Sequence, residues 1–320
     1  MALFIPWFLH EEYRKEPTKG WVPPLSFEEY MVLHGLDMDQ IYWAWDKNRA
    51  MAMLEGLGSD EFCLGFKREY PATDDEAFEE AGDELTRAIP MAWIKAAQAR
   101  WIANRSVPKG PMTGLGVDVA QGGPDKTVAT PCHGIRLEYP VELPGSLTTD
   151  GPSVAGMVVS VVRDNATIGI DLGGGWGGDA HTHLKKHLDM PVAGINPAAG
   201  APGKSKHGGY EFKNMRAYLF WHFRESLNPI TGDNMEIPPD DELAEDLAAA
   251  TFEITRQGVL IEKKEDIKKR LGRSPDKGDS ALLAWYAAEP SVRQRVRDEQ
   301  KKAGHSPPVS LPARKVNGRR

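Results

Sequence analysis

Two aspartates interrupt two apolar runs, Leu115-Gly116-Val117-Asp118-Val119-Ala120 and Ile168-Gly169-Ile170-Asp171-Leu172. Each run reads as a short buried strand, where a carboxylate is costly unless something positive meets it. A third acidic group lies downstream in Arg273-Ser274-Pro275-Asp276-Lys277-Gly278-Asp279. Three separated carboxylates that a fold can bring together point to a divalent-metal site. Carboxylate oxygens are the donors that Mg²⁺ and Mn²⁺ prefer. The two cysteines, Cys63 and Cys132, stand far apart, and the histidines are scattered. His183 and His187 have the i,i+4 spacing that can hold zinc, but a solvated helix face accounts for them.

Alternate residues of a strand share a face. Gly116, Asp118 and Ala120 therefore point one way, and the small neighbours leave room for a ligand beside Asp118. Asp171 repeats the pattern, with Gly169 before it and Gly173-Gly174-Gly175 after it. Asp125, in the turn Gln121–Thr127, is a further acid within reach of the same cluster. The segment Ala198–Ser205 fits a relaxed phosphate-loop pattern. It is followed by Lys206-His207-Gly208-Gly209, which cannot open the helix that a phosphate loop requires.

The elements that must hold these acids can be read from the pattern. Residues 114–120 form a strand, and residues 126–141 form two more that turn near His133-Gly134. A helix is expected at 152–163, a strand at 166–172, a helix at 179–188 and a strand at 191–195. Helices follow at about 211–227 and 240–250, then a hairpin around Gln257-Gly258. A last helix starts at Ser274-Pro275, with Ser274 as N-cap, and runs to about Ala288. Strands alternating with helices give an α/β class with a mixed sheet. Residues 1–107 read as helical, with candidate capping boxes at Ser26/Glu29 and Thr73/Glu76. Residues 108–290 carry the sheet, and a basic, disordered tail is expected at 291–320.

The net charge is −7 over 320 residues, but it is unevenly spread. Residues 1–100 hold 19 acidic against 10 basic side chains, and residues 291–320 hold 9 basic against 2 acidic. Lys263–Arg270 is a second basic cluster. An acidic front and a basic rear permit a polyanion at the rear. No apolar run approaches the length that spans a bilayer, and the N-terminus lacks a secretory signal.

One ordered series of segments resembles a known family. It comprises Gly116–Ala120, Asp125-Lys126-Thr127, Ile170-Asp171, Val192–Asn196, Phe212–Ala217 and Ile267–Asp276. Together these look like the C-terminal nuclease domain of the large terminase subunit of tailed bacteriophages. Phe66–Thr73 with Glu76-Ala77-Phe78 resembles the segment that leaves that family's ATPase domain. The resemblance implies a ribonuclease-H-like fold and metal-dependent cutting of double-stranded DNA during genome packaging. It implies an endonuclease with Asp118, Asp171 and Asp279 as catalytic, metal-holding acids, and with Asp125 and Asp276 as further candidate ligands. Two Mg²⁺ or Mn²⁺ ions are the expected cofactors, with Asp118 bridging them. Lys264, Lys268, Lys269, Arg270 and Arg273 are the expected grip on the DNA backbone. Portal protein, small terminase subunit and a separate packaging ATPase are the implied partners, in the cytoplasm of an infected bacterium. The chain departs from full family members in lacking a convincing nucleotide loop, so no ATPase activity is expected from it alone. A junction resolvase or transposase would use the same acids. A docking module for portal or small terminase would leave them merely structural.

Overall fold

The computed structural model describes residues 5–55, 58, 60, 62–73, 86–120, 122, 124–175, 177–207 and 209–304. Near the N-terminus stand α1 (Leu25–His34), α2 (Met38–Glu55) and α3 (Leu64–Glu69). Their aromatic core holds Trp7, Phe27, Tyr30, Trp43 and Phe66 and shares no member with the other two cores. Ser26 lies inside α1, after the N-cap Pro24, so the capping box expected at Ser26 does not form. The Thr73/Glu76 box falls partly outside the described residues.

Next come α4 (Met91–Ala103), β1 (Gly114–Asp118), β2 (Lys126–His133), β3 (Arg136–Leu137) and β4 (Val141–Pro144). They are followed by α5 (Gly151–Val161), β5 (Thr167–Asp171), α6 (Gly177–Thr182) and β6 (Val192–Ile195). The chain continues through α7 (Met215–Leu227), α8 (Asp241–Ala249), the hairpin β7 (Phe252–Thr255) and β8 (Gly258–Ile261), then α9 (Lys264–Leu271), α10 (Asp276–Ala288) and α11 (Pro290–Lys302).

The main sheet runs β3-β2-β1-β5-β6, with β4 also paired to β2. β1 is antiparallel to β2 and parallel to β5, and β5 is parallel to β6. Val117 sits opposite Ile170 in the parallel pair. The next residue of each strand is therefore an aspartate at the same carboxyl edge, where α/β sheets place their ligands.

The alternation of β1 separates two cores. Leu115, Val117 and Val119 pack with Val154, Val158, Ile168 and Leu184 on one face. The opposite face is covered by α10, which packs with α4, α7, α8 and α11. Here the structure differs from the sequence reading. A Cβ on Gly116 would lie 2.0 Å from the Ser280 carbonyl oxygen and 2.2 Å from the Ala284 nitrogen. The glycine thus makes room for the helix backbone rather than for a ligand. That close approach presses the first turns of α10 against the strand that carries Asp118.

Three further expectations are corrected. The tail expected from residue 291 begins instead as α11, with Val292 and Val296 one turn apart and buried. Residues 305–320 lie outside the described residues. The last long helix starts at Asp276 rather than Ser274-Pro275, and Ser274 does not cap it. Asp246, from α8, accepts the Lys277 and Gly278 backbone N–H groups at 3.1 and 3.2 Å and does that work. Finally α4, upstream of Pro108, contributes Trp93, Ile94 and Ala97 to the core around α10. Among the described residues no helix is long and apolar enough to cross a membrane.

Candidate active site

β1, β5 and α10 each deliver one acid to a cleft of about 640 Å³ at the carboxyl edge of the sheet. Asp118, Asp125, Asp171, Asp276, Arg216, Lys263, Lys264 and Lys268 line it. Asp279 adjoins it through ion pairs with Lys264 and Arg216. The turn expected at 121–127 brings Asp125 in, where Lys268 Nζ meets it at 2.6 Å.

Lys264 is the hub. Its Nζ lies 3.0 Å from Asp118 Oδ2, 2.8 Å from Asp279 Oδ2 and 3.5 Å from Asp276 Oδ1. The 2.8 Å contact lies off the direction a hydrogen bond needs. Asp279 Oδ2 is accordingly buried without a hydrogen-bond partner among the described residues. Asp279 Oδ1 meets Arg216 Nη1 at 3.3 Å. Asp171 Oδ1 accepts the Gly173 N–H at 2.6 Å, and Asp276 Oδ2 accepts the Lys126 N–H at 3.3 Å.

Burial and crowding set the protonation of these acids. Burial pushes the Asp118 carboxyl up to about 7, against the pull of Lys264 and with help from the neighbouring aspartates. Burial also raises Asp171, aided by the charge of Asp279. Asp279 moves the other way: burial opposes its charge, but Lys264 and Arg216 outweigh it and hold the carboxyl low. Lys264 is desolvated, yet Asp279 and Asp118 hold its ammonium well above the ordinary lysine range. The group is therefore rich in negative charge for the cations that face it.

That excess fits a hard divalent cation. The donors are carboxylate oxygens, one of them without a hydrogen-bond partner, and their mutual repulsion is relieved by added positive charge. Among the described residues no three His, Cys, Asp or Glu side chains form a ready-made cage. The Lys264 ammonium touches three of the carboxylates that such a cage would use.

The sequence-predicted residues divide cleanly. Asp118, Asp171, Asp279, Asp125, Asp276, Lys264 and Lys268 come together. Lys269, Arg270 and Arg273 do not line the cleft. Lys269 pairs with Asp266, Arg270 with Glu262, and Arg273 with Asp246 and Glu245. Lys264 was expected to touch DNA and instead grips the acids. Arg216 and Asp246 carried no sequence-based role. Arg216 did carry a signal: it stands at the second position of α7, behind the N-cap Asn214, where the helix dipole disfavours a cation. The phosphate-loop lookalike ends as the pattern requires. The next helix after Ser205 begins only at Met215, and the Lys206 and His207 N–H groups are taken by Glu225 at 3.1 and 2.9 Å.

The fold has counterparts among solved structures. The nuclease domain of the large terminase subunit gp2 of bacterial virus Sf6 matches with a TM-score of 0.51 at 15% identity, covering 62% of this chain and 98% of that one. A lysine-to-alanine variant of that domain with manganese and β-thujaplicinol gives the same values. A variant of the same kind with calcium matches at 0.50 and 15% identity over the same shares. No protein-family model and no curated protein matches the chain. The chain therefore has the fold of phage large-terminase nuclease domains, a ribonuclease-H-like mixed sheet flanked by helices.

Proposed function

We propose that this chain is the nuclease part of a phage DNA-packaging machine, a divalent-metal-dependent endonuclease that cuts double-stranded DNA. The observation that carries this reading is the convergence of Asp118, Asp171, Asp276 and Asp279, from three separated elements, around Lys264 in one cleft. The shared fold supports it. Asp118, Asp171 and Asp279 would hold Mg²⁺ or Mn²⁺, with Asp125 and Asp276 at the margin. Two such ions, when bound, activate water and stabilise the departing oxygen.

The chain's own residues do the rest. The rigid strands β1 and β5 fix Asp118 and Asp171 side by side, and Gly116 sets the depth of α10 and hence of Asp279. Asp118, with its carboxyl near 7, can take a proton close to neutral pH. Lys263 is exposed on the cleft rim with no ion pair among the described residues, and it can meet a DNA phosphate. Such contacts are independent of sequence and weaken with salt. The nuclease unit extends upstream of residue 108 to include α4, whose side chains share its core. Partners beyond DNA would be portal, small terminase subunit and a packaging ATPase, since this chain supplies no phosphate loop of its own.

The test is cleavage of supercoiled plasmid with Mg²⁺, with Mn²⁺ and with EDTA. Cutting with either ion and none in EDTA is expected. Cutting that persists in EDTA would exclude the mechanism. A strong preference for branched over linear duplex would move the reading to a junction resolvase.

A further inference from the structure

A guanidinium on the cleft wall is only partly used. Arg216 lines the cleft with Asp118 and Asp171, and only its Nη1 meets an acid, Asp279 Oδ1 at 3.3 Å. Its Nε and Nη2 are buried and have no hydrogen-bond partner among the described residues. Two buried donors of a charged group left unpaired are costly, and such groups in a folded protein call for an explanation.

The surroundings hold this side chain in place. The Arg216 Cζ lies 4.8 Å from the centre of the Phe220 ring, one turn along α7, which fixes the guanidinium plane. Its backbone N–H donates to the Pro197 carbonyl at 3.0 Å, and the Asn214 side chain caps the helix at Ala217. The helix start is thus pinned to the loop after β6. A cation at this position works against the dipole of α7. Pairing with Asp279 explains one nitrogen of the three.

We infer that Arg216 is a phosphate-binding catalytic residue, whose Nε and Nη2 donate to the non-bridging oxygens of the phosphodiester being cut. The inference rests on the nuclease reading and adds a substrate contact that the acids cannot supply. In the hydrolysis, the water oxygen bonds to phosphorus as one P–O ester bond breaks. The water loses a proton, the departing alkoxide gains one, and charge builds on the non-bridging oxygens. A fixed guanidinium fork meets that charge with two parallel donors, which a lysine cannot do. The Nη1 contact to Asp279 ties the fork to the acid cluster.

The experiment compares the unaltered chain with Arg216→Ala and Arg216→Lys, each checked for folding by thermal melting. With Mn²⁺, Arg216→Ala should lose roughly 100- to 1000-fold in kcat, the range seen when one transition-state donor is removed. Arg216→Lys should recover only part, and millimolar guanidinium should partly restore Arg216→Ala. Mn²⁺ affinity, by calorimetry, should stay within threefold. A binding arm needs no turnover: a short duplex is titrated in Ca²⁺ across a salt series. There the salt slope should fall by about one for Arg216→Ala. Three results would overturn the inference. One is cleavage by Arg216→Ala at the unaltered rate. The second is an unchanged salt slope. The third is a loss of Mn²⁺ affinity whose correction by excess Mn²⁺ restores kcat, which would make Arg216 a positioning residue for Asp279. If the unaltered chain does not cut at all, the nuclease reading fails, and the salt slope still decides whether Arg216 holds a phosphate. If Arg216→Ala does not fold, Arg216→Lys carries both arms.

Discussion

Two lysines in this molecule each sit among three carboxylates, and they do different things. Lys277 meets Glu142, Asp240 and Glu242 at 2.9–3.1 Å. Lys264 meets Asp118, Asp276 and Asp279 at 2.8–3.5 Å. Around Lys277 the charges are well supplied with partners. Glu142 has Lys126 as a second cation at 2.6 Å, and Asp240 also accepts the Leu243 N–H. Burial works against both acids, but these partners outweigh it and both carboxyls stay below the ordinary range. Around Lys264 burial wins at Asp118 and Asp171, and one oxygen of Asp279 has no hydrogen-bond partner. A lysine ringed by acids is therefore a staple or a cation site depending on what else satisfies the acids. Contact distance to the lysine does not separate the two.

The largest effect should come from the under-satisfied cluster. Asp118→Ala and Asp279→Asn should each lower Mn²⁺-dependent cleavage at least about 100-fold, since partners of metal ligands alone cost 10- to 100-fold. Both variants should remain folded by circular dichroism. Glu242→Gln, in the balanced cluster and off the main cleft, should cut at a near-normal rate. If Glu242→Gln is as dead as Asp118→Ala, the contrast between the clusters is false.

The stability consequences should run in the opposite sense. Lys277 is 9% exposed, so Lys277→Ala strands buried acids and should destabilise by about 3–5 kcal/mol in urea unfolding. Divalent ions should not repair it. Lys264→Ala should also lower the melting temperature without metal, because Asp118 and Asp279 lose their shared cation. Mn²⁺ should then raise the melting temperature of Lys264→Ala more than that of the unaltered chain, because binding to the folded form stabilises it. Equal Mn²⁺ shifts in both proteins would mean that Lys264 and the metal do not share a site.

Much of the carboxylate cluster was legible because its signals are local. An aspartate at the end of an apolar strand is unusual in any window, and β1 and β5 lie where the pattern puts them. Lys264 was read as a DNA contact because composition shows charge and not direction. Only the packing of α9 against the sheet edge turns it inward. The cap of α10 was misread for a similar reason. Ser274-Pro275 is a good local start signal, but Asp246, 31 residues from Lys277 in sequence, supplies the carboxylate. A cap made across two helices leaves no local trace. Gly116 shows the same limit. A small residue beside an acid reads as space, and the structure fills that space with helix backbone.

Metal affinity should also depend on pH, in a direction the burial of Asp118 sets. Its carboxyl is pushed up to about 7, above the ordinary aspartate value. Below that pH a proton occupies the carboxyl and competes with the ion. Mn²⁺ affinity should therefore rise by up to about tenfold per unit between pH 5.5 and 7 and level off above it. The sign for metal-free stability is the reverse. A raised carboxyl contributes most when protonated, so that stability is present below pH 4 and is lost as the pH rises through about 7. Calorimetric titrations at four pH values check the first trend, and melting in EDTA checks the second. A flat affinity profile would show that Asp118 is not a ligand.

The smallest effect should separate the two acids of α10. Asp276 lies at the first helical position, where a carboxylate suits the helix N-terminus. One of its oxygens accepts the Lys126 N–H, and the other stands 3.5 Å from Lys264, the longest of the three contacts. Asp279 lies one turn deeper, closer to Lys264 and alone in touching Arg216. Asp276 thus has a structural occupation that Asp279 lacks. In Asp276→Asn the amide oxygen can still accept the Lys126 N–H, so only the charge is lost. The expected cost is roughly 0.5–1.5 kcal/mol of stability and a few-fold slower cleavage at unchanged Mn²⁺ dependence. If Asp276→Asn is folded and dead while Asp279→Asn cuts normally, the roles of the two acids are exchanged. Asp276 would then be the acid that holds the ion, and the buried oxygen of Asp279 would belong to the fold.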